Sequence, residues 1–181
     1  MNKKALLALF VLLCCTLAGA QQYPTVEVFG GYSYARVSFA GTSANYNGWN
    51  ASLEGNLKKW FGVIGDFGGV YGPDLGLSDN RYFLFGGPQI TARGKKINVF
   101  GRVLVGATRK DQYLKPFSML AGGGVDWHVR PHLGIRLVQA DYILTRFQEP
   151  ACTVAAGCGP AATQNNFRLS AGVVFYLGKG Y

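Results

Sequence analysis

The stretch that decides the fold is the last one, residues 165–181, "NNFRLSAGVVFYLGKGY". From Phe167 every second residue is Phe167, Leu169, Ala171, Val173, Phe175 and Leu177, while Arg168, Ser170 and Tyr176 stand among the residues between them. That alternation is a strand with one apolar face. Tyr181 falls in the same phase as the apolar set, and no segment after it covers that face. In a water-soluble protein another part of the chain has to bury those side chains, whereas in a closed barrel sitting in lipid the acyl chains do so.

The opposite end carries a different signal. Residues 1–20, "MNKKALLALFVLLCCTLAGA", place Lys3 and Lys4 before an apolar run from Ala5 to Leu17, followed by Ala18-Gly19-Ala20. The layout is that of a secretory signal peptide with a small-residue cleavage site, and the run is too short to span a bilayer. Cleavage is expected between Ala20 and Gln21, giving a leader over 1–20 and one mature domain over 21–181. An uncleaved anchor and a lipoprotein attached through Cys14 or Cys15 fit the residues less well. The leader is expected to lie as a helix outside the folded domain.

Without the leader the chain has 161 residues, with 16 Lys and Arg against 9 Asp and Glu, a net charge of +7. Cys152 and Cys158 remain, in "CTVAAGC". Export to an oxidising compartment favours a small loop disulfide between them over metal binding, with a free pair as the alternative. No apolar run after the leader is long enough for a membrane helix, although hydrophobic residues make up 49% of the chain. They must be dispersed by alternation.

Eight segments alternate with period two. In the first, Val26, Val28, Gly30, Tyr32 and Tyr34 oppose Glu27, Gly31 and Ser33; in the second, Trp49, Ala51, Leu53, Gly55 and Leu57 oppose Asn50, Ser52, Glu54 and Asn56. The third sets Phe61, Val63, Gly65, Phe67 and Tyr71 against Ile64, Asp66 and Gly68. In the fourth, Leu84, Gly86, Pro88, Ile90 and Ala92 face away from Gln89, Thr91 and Arg93, and Pro88, which has no ladder donor, demands a local irregularity. The fifth carries Val99, Gly101, Val103, Val105 and Ala107 opposite Arg102 and Thr108, and the sixth Met119, Ala121, Val125, Trp127 and Val129 opposite Ser118, Asp126 and His128. The seventh changes phase: Leu133, Ile135 and Leu137 give way to Val138, Ala140, Tyr142 and Leu144, which reads as a β-bulge near Val138.

Connection lengths alternate as well. Tight basic joins are expected at Lys59-Trp60, Arg93 to Lys96 and Arg130 to His132, and longer ones at Phe39 to Asn45, Gly72 to Asn80, Lys110 to Pro116 and Gln148 to Asn165. One end with short turns and one with long loops is the habit of outer-membrane barrels.

Polarity separates a barrel in lipid from one in water. The polar phase holds Glu27, Glu54, Asp66, Asp126, Arg102, Arg136 and Arg168, a near-balanced set suited to a narrow lumen filled by ion pairs, since isolated charges there would be costly. The apolar phase places Tyr32, Tyr34, Trp49 and Tyr71 toward the long loops and Phe61, Trp127 and Phe175 toward the short turns, as two interfacial aromatic belts. The alternative, a soluble lipocalin-like or avidin-like barrel, must expose those charges and pack Trp49, Phe67 and Trp127 around a ligand cavity. The leader, the loop lengths and the belts agree on lipid.

In order and spacing, "GGYSY" at 30–34, "FLFGGPQ" at 83–89, "GGGVDWHV" at 122–129 and "IRLVQADY" at 135–142 make the chain resemble the eight-stranded outer-membrane β-barrels of the OmpA transmembrane-domain and OmpX type. The resemblance implies an all-β, antiparallel, up-and-down transmembrane barrel in the outer membrane of a Gram-negative-type envelope. It also implies lipid and lipopolysaccharide as surroundings and recognition of the C-terminal strand by the assembly machinery. A cell-wall tether is not implied.

The resemblance says less about activity. A structural, envelope-integrity or adhesion-like role through the loops is expected, with a small passive pore as the alternative and a lipid-modifying enzyme as a more remote one. The only histidines, His128 and His132, flank the tight turn at Arg130-Pro131, and neither has a serine nearby in strand phase, so no catalytic, metal or cofactor site is expected. "GGG" at 122–124 lacks the strand-to-helix context of a phosphate cradle. Basic residues in turns and rims suit anionic headgroups better than nucleic acid.

Overall fold

In a computed structural model of the protein, the described residues are 23–39, 42–74, 77–110, 117–146 and 163–178. The leader with Ala20 and Gln21, the loop with Cys152 and Cys158, and Lys179 to Tyr181 lie outside them. Eight strands run β1 Val26–Phe39, β2 Thr42–Lys58, β3 Phe61–Asp74, β4 Leu77–Arg93, β5 Ile97–Lys110, β6 Phe117–Arg130, β7 Leu133–Arg146 and β8 Thr163–Leu177. Each pairs antiparallel with its sequence neighbour, and β1 pairs with β8 to close the barrel. Closure answers the question of the terminal strand: its ladder is completed by β1, with Val28 opposite Phe175 and Ser33 opposite Ser170.

The register fixes the shape. A circuit from Val28 passes through Leu53, Gly65, Gly86, Val105, Met119, Leu144 and Asn165, and re-enters β1 at Ser38, ten residues further along. With a rise of about 3.3 Å per residue and about 4.8 Å between strands, that stagger tilts the eight strands by about 41° from the axis. A strand of 14 residues then climbs about 35 Å, more than the roughly 30 Å of a hydrocarbon core.

Alternation places the side chains. Leu53, Val63, Phe67, Leu84, Val103, Val173 and Phe175 project outward and are exposed, while Glu54, Asp66, Arg102, Asp126 and Arg168 are buried inside. Polarity is therefore inverted relative to a water-soluble barrel, and the exterior suits lipid.

Irregularities fall where the chain breaks its own period. In β7 the pairing with β6 steps from Val125–Val138 to Asp126–Arg136, and the pairing with β8 lapses between Arg136 and Gln139. Leu137 and Val138 thus both face out, and the bulge returns Gln139 and Asp141 to the lumen. At Gly87-Pro88 the β4–β5 pairing lapses without changing register, as a proline without an N–H requires.

Three expectations about connections are corrected. Phe39 to Asn45, Gly72 to Asn80 and Gln148 to Asn165 are not loops throughout: β1 runs to Phe39, β2 begins at Thr42, β3 runs to Asp74, β4 begins at Leu77 and β8 begins at Thr163. The polar residues there are held by ladder hydrogen bonds to the neighbouring strand, with Arg36 opposite Asn45 and Tyr71 opposite Asn80. The turns at Lys59-Trp60 and Pro131-His132 are tight.

Candidate functional site: the filled lumen

Three tiers of side chains fill the barrel. The middle tier is ionic and is centred on Asp141. Arg102 donates from Nη2 to both Asp141 oxygens at 3.0 and 2.9 Å, and Arg168 donates to Asp141 Oδ2 from Nε at 3.0 Å and from Nη2 at 2.8 Å. Arg168 Nη2 also reaches Asp66 Oδ1 at 2.9 Å, while Arg102 Nη2 lies 3.0 Å from Asp66 Oδ2 as a charge contact. Two guanidiniums and two carboxylates from β3, β5, β7 and β8 thereby neutralise one another across the axis. Amides add further donors: Asn50 Nδ2 donates to Asp66 Oδ1, and Gln139 Nε2 donates to Asp141 Oδ2 and Asn50 Oδ1, while among the described residues Asp66 Oδ2 has only the charge contact with Arg102.

Below it, toward the short turns, Arg136 forms a bidentate pair with Asp126, Nε to Oδ1 at 2.7 Å and Nη2 to Oδ2 at 2.9 Å. Its guanidinium is sandwiched between the rings of Phe29 and Phe100, at 4.3 and 4.2 Å from their centroids. Arginine suits this place because its plane stacks on aromatic faces while its edge binds the carboxylate. Arg136 Nη1 donates to Gln139 Oε1 at 2.7 Å, which ties this tier to the middle one. Nearer the mouth, Glu27 pairs with Arg93 at 2.6 Å, Asn56 bridges both, and Gln89 Nε2 donates to Glu54 Oε2 at 2.6 Å.

Toward the other end the lumen is apolar. Ala35, Tyr46, Ile64, Val70, Phe83, Phe85, Leu104, Leu120 and Ile143 pack as one buried cluster, with Phe83 and Phe85 stacked at 6.2 Å. Thr108, Ser118 and Thr145 form a short hydroxyl chain there, and the Arg81 guanidinium lies over the Tyr46 ring.

All seven lumen candidates from the sequence, Glu27, Glu54, Asp66, Arg102, Asp126, Arg136 and Arg168, lie inside. They form linked groups rather than one network, and Glu54 shares only an amide with Gln89. Sequence reasoning missed Asp141, the hub of the middle tier, along with Gln139 and Arg93. The phase switch at Val138 carried the missing signal: once Val138 faces out, Gln139 and Asp141 must face in. It also missed the apolar fill, because the inward phase was read almost wholly from its polar and charged members.

Glycines make room for this fill. A Cβ on Gly122 would collide with Asp141 Oδ1, and one on Gly124 would stand 2.7 Å from Phe100 Cζ. The "GGG" run is thus the floor under the network's hub and one arginine-stacking ring.

Outside, Tyr32, Trp49, Tyr71, Trp127 and Phe175 are exposed, and Tyr34 and Phe61 are half-buried. Tyr32 donates to Asn47 at 2.6 Å, Trp49 Nε1 donates to Tyr71 Oη at 3.1 Å, and Tyr71 meets Tyr82 edge-on. Trp60, at a short turn, adds to the opposite end. His128 does not lie on the outer wall; it stacks on Tyr176 at 4.6 Å, and His132 Nδ1 approaches Tyr176 O at 3.2 Å. Among the described residues no group of His, Cys, Asp or Glu is arranged to hold a metal.

No protein-family model and no curated sequence matches the chain. Solved structures do. Neisserial surface protein A (NspA) aligns over 84% of this chain and 97% of its own at 13% identity and a TM-score of 0.62. The Pseudomonas aeruginosa outer membrane protein OprG covers 88% and 98% at 10% identity and a TM-score of 0.59. The attachment invasion locus protein Ail of Yersinia pestis, in complex with the heparin analogue sucrose octasulfate, covers 83% and 97% at 19% identity and a TM-score of 0.54. With its closed eight-stranded ladder, charged interior and apolar exterior, the chain has the fold of the bacterial outer-membrane β-barrels and a wall that suits lipid.

Proposed function

We propose that the protein is a plugged, non-enzymatic outer-membrane barrel whose role is structural and at the cell surface: envelope integrity, adhesion or another interaction made through the connections at its long-loop end. The observation that carries this reading is the filled lumen. Asp66, Asp141, Arg102 and Arg168 span the axis, and the Phe83, Phe85, Leu104 and Leu120 cluster closes the bore beyond them. A bore filled by packed side chains supports work done on the surface over transport along the axis.

The reading assigns the leader to export, with cleavage between Ala20 and Gln21, and β8 to recognition by the outer-membrane assembly machinery. Its long-loop end is external, surrounded by lipopolysaccharide, and displays the 148–165 segment with Cys152 and Cys158 joined as a disulfide. The exposed aromatics Tyr32, Trp49 and Tyr71 then sit at the outer interface, and Trp127 and Phe175 at the inner one. NspA is a surface protein and Ail an attachment protein bound to a sulfated heparin analogue, which supports a surface role on this fold.

Planar-bilayer recording of the refolded, purified protein tests the reading. No unitary conductance above the noise is expected in 1 M salt, and regular channel openings would replace the surface role with permeation. Mass spectrometry of lipid A from cells with and without the protein should show no difference; a lost or altered acyl chain would make it an enzyme.

A further inference from the structure

The short-turn end carries a second surface feature. Lys58 and Lys59 in one turn, Lys95 and Lys96 in the next, and Arg130 in the third are all exposed. Among the described residues no exposed carboxylate balances them. Glu27, Glu54 and Asp126, the acids of that end, are buried in the lumen, and Arg93 is drawn inward to Glu27. Among residues whose side chains are described, every acid is buried, so the internal ion pairing leaves a rim of one sign.

The rim is continuous with the apolar wall. Leu57, Ile97 and Val129 are exposed on the outer face next to Lys58, Lys96 and Arg130 in the chain, and Leu177 is exposed at the same end of β8. Trp60 is exposed between Lys59 and Phe61, with its ring 5.8 Å from Lys58 Nζ. An ammonium so placed stands where hydrocarbon ends and headgroup phosphates begin, and the flexible lysine stem lets it reach outward along the surface.

We propose that this rim is a binding surface for anionic phospholipid headgroups, phosphatidylglycerol-like phosphodiesters, in the leaflet at the short-turn end. Charge complementarity and the shared border with the apolar wall select a lipid over a soluble partner: the cations ring the barrel at membrane level rather than gathering on one protruding face. The site holds that leaflet against the barrel and fixes its depth. The proposal rests on the membrane-barrel reading above, and the test separates the two.

The full mature chain is refolded into phosphatidylcholine vesicles containing spin-labelled phosphatidylglycerol or spin-labelled phosphatidylcholine, and the fraction of motionally restricted label is read. Insertion is scored first, by faster gel migration before boiling; failure there defeats the membrane-barrel reading itself. In inserted protein, phosphatidylglycerol should be preferred by about fivefold, the scale of one lysine at an anionic surface. The preference should fall toward unity in K58Q/K59Q/K95Q/K96Q and in 0.5 M salt, and survive in K58R/K59R/K95R/K96R. Equal restriction of both labels by the inserted wild-type barrel would overturn the proposal. Loss of the preference on adding soluble muropeptides would overturn it too, by assigning the rim to the cell wall.

Discussion

Asp141 is the residue on which most of the lumen depends. Its two oxygens receive Arg102, Arg168 and Gln139, and removing it leaves two buried guanidiniums to share Asp66. Breaking a buried charge pair from one side costs about 3–5 kcal/mol, since the remaining charge stays desolvated. Asp141→Ala is therefore expected to lower unfolding stability by that amount, read as a shifted urea midpoint of tryptophan fluorescence in detergent micelles or vesicles. Gly122 supports the same carboxylate from below. Gly122→Ala should destabilise the barrel by at least about 1 kcal/mol, in the range of overpacked interiors. Gly101→Ala, on the outer face with nothing within 4 Å of the new methyl, should be neutral in the same assay. At Arg136, lysine would keep the charge and lose both the fork on Asp126 and the stacking between Phe29 and Phe100. Arg136→Lys should accordingly unfold at lower urea than wild type.

At the scale of the element, β7 is the test of how pattern becomes register. Leu137 and Val138 lie side by side on the outer face, and the residue added there changes the phase of everything after it. Deleting Leu137 alone would remove the bulge and leave Gln139 and Asp141 inside. Deleting Leu137 and Val138 together would turn Gln139 and Asp141 outward into lipid and Tyr142 inward, since a one-residue slip exchanges the two faces of a strand. The double deletion is expected not to refold, so its boiled and unboiled samples should migrate together, while the single deletion should still run faster unboiled. The wall supplies the converse case. Val103 is exposed midway along β5, and Val103→Arg there should cost about 2–4 kcal/mol, measured as a lowered urea midpoint in vesicles. Parts of this scale were legible in advance: β2 and β3 alternate cleanly, and the breaks at Val138 and Pro88 follow from period and from a missing donor. The first residues of β2 and β4 were not. Thr42 to Asn45 and Leu77 to Asn80 are rich in Ser, Thr, Asn and Asp and read as loop. Strand pairing there is held by the neighbouring strands' backbones rather than by an alternating apolar face.

For the whole molecule, the governing quantity is the stagger of ten residues over eight strands, which sets a narrow bore that side chains can fill. The lumen's charges compensate internally, which leaves the net positive charge of the chain to its turns and ends. The alternation of polar and apolar residues, the tight basic turns, the bulge in β7 and the inverted polarity were all determined by the sequence alone, because each is set within a strand or a turn by period, donor count and side-chain chemistry. Only the tertiary structure decided that Asp141 unites Arg102 with Arg168, that Arg136 lies between Phe29 and Phe100, and that an apolar cluster closes one end of the bore. Those contacts join residues far apart in the chain, on adjacent strands or two strands apart in the closed barrel, and their meeting depends on the register that sets each strand against the next.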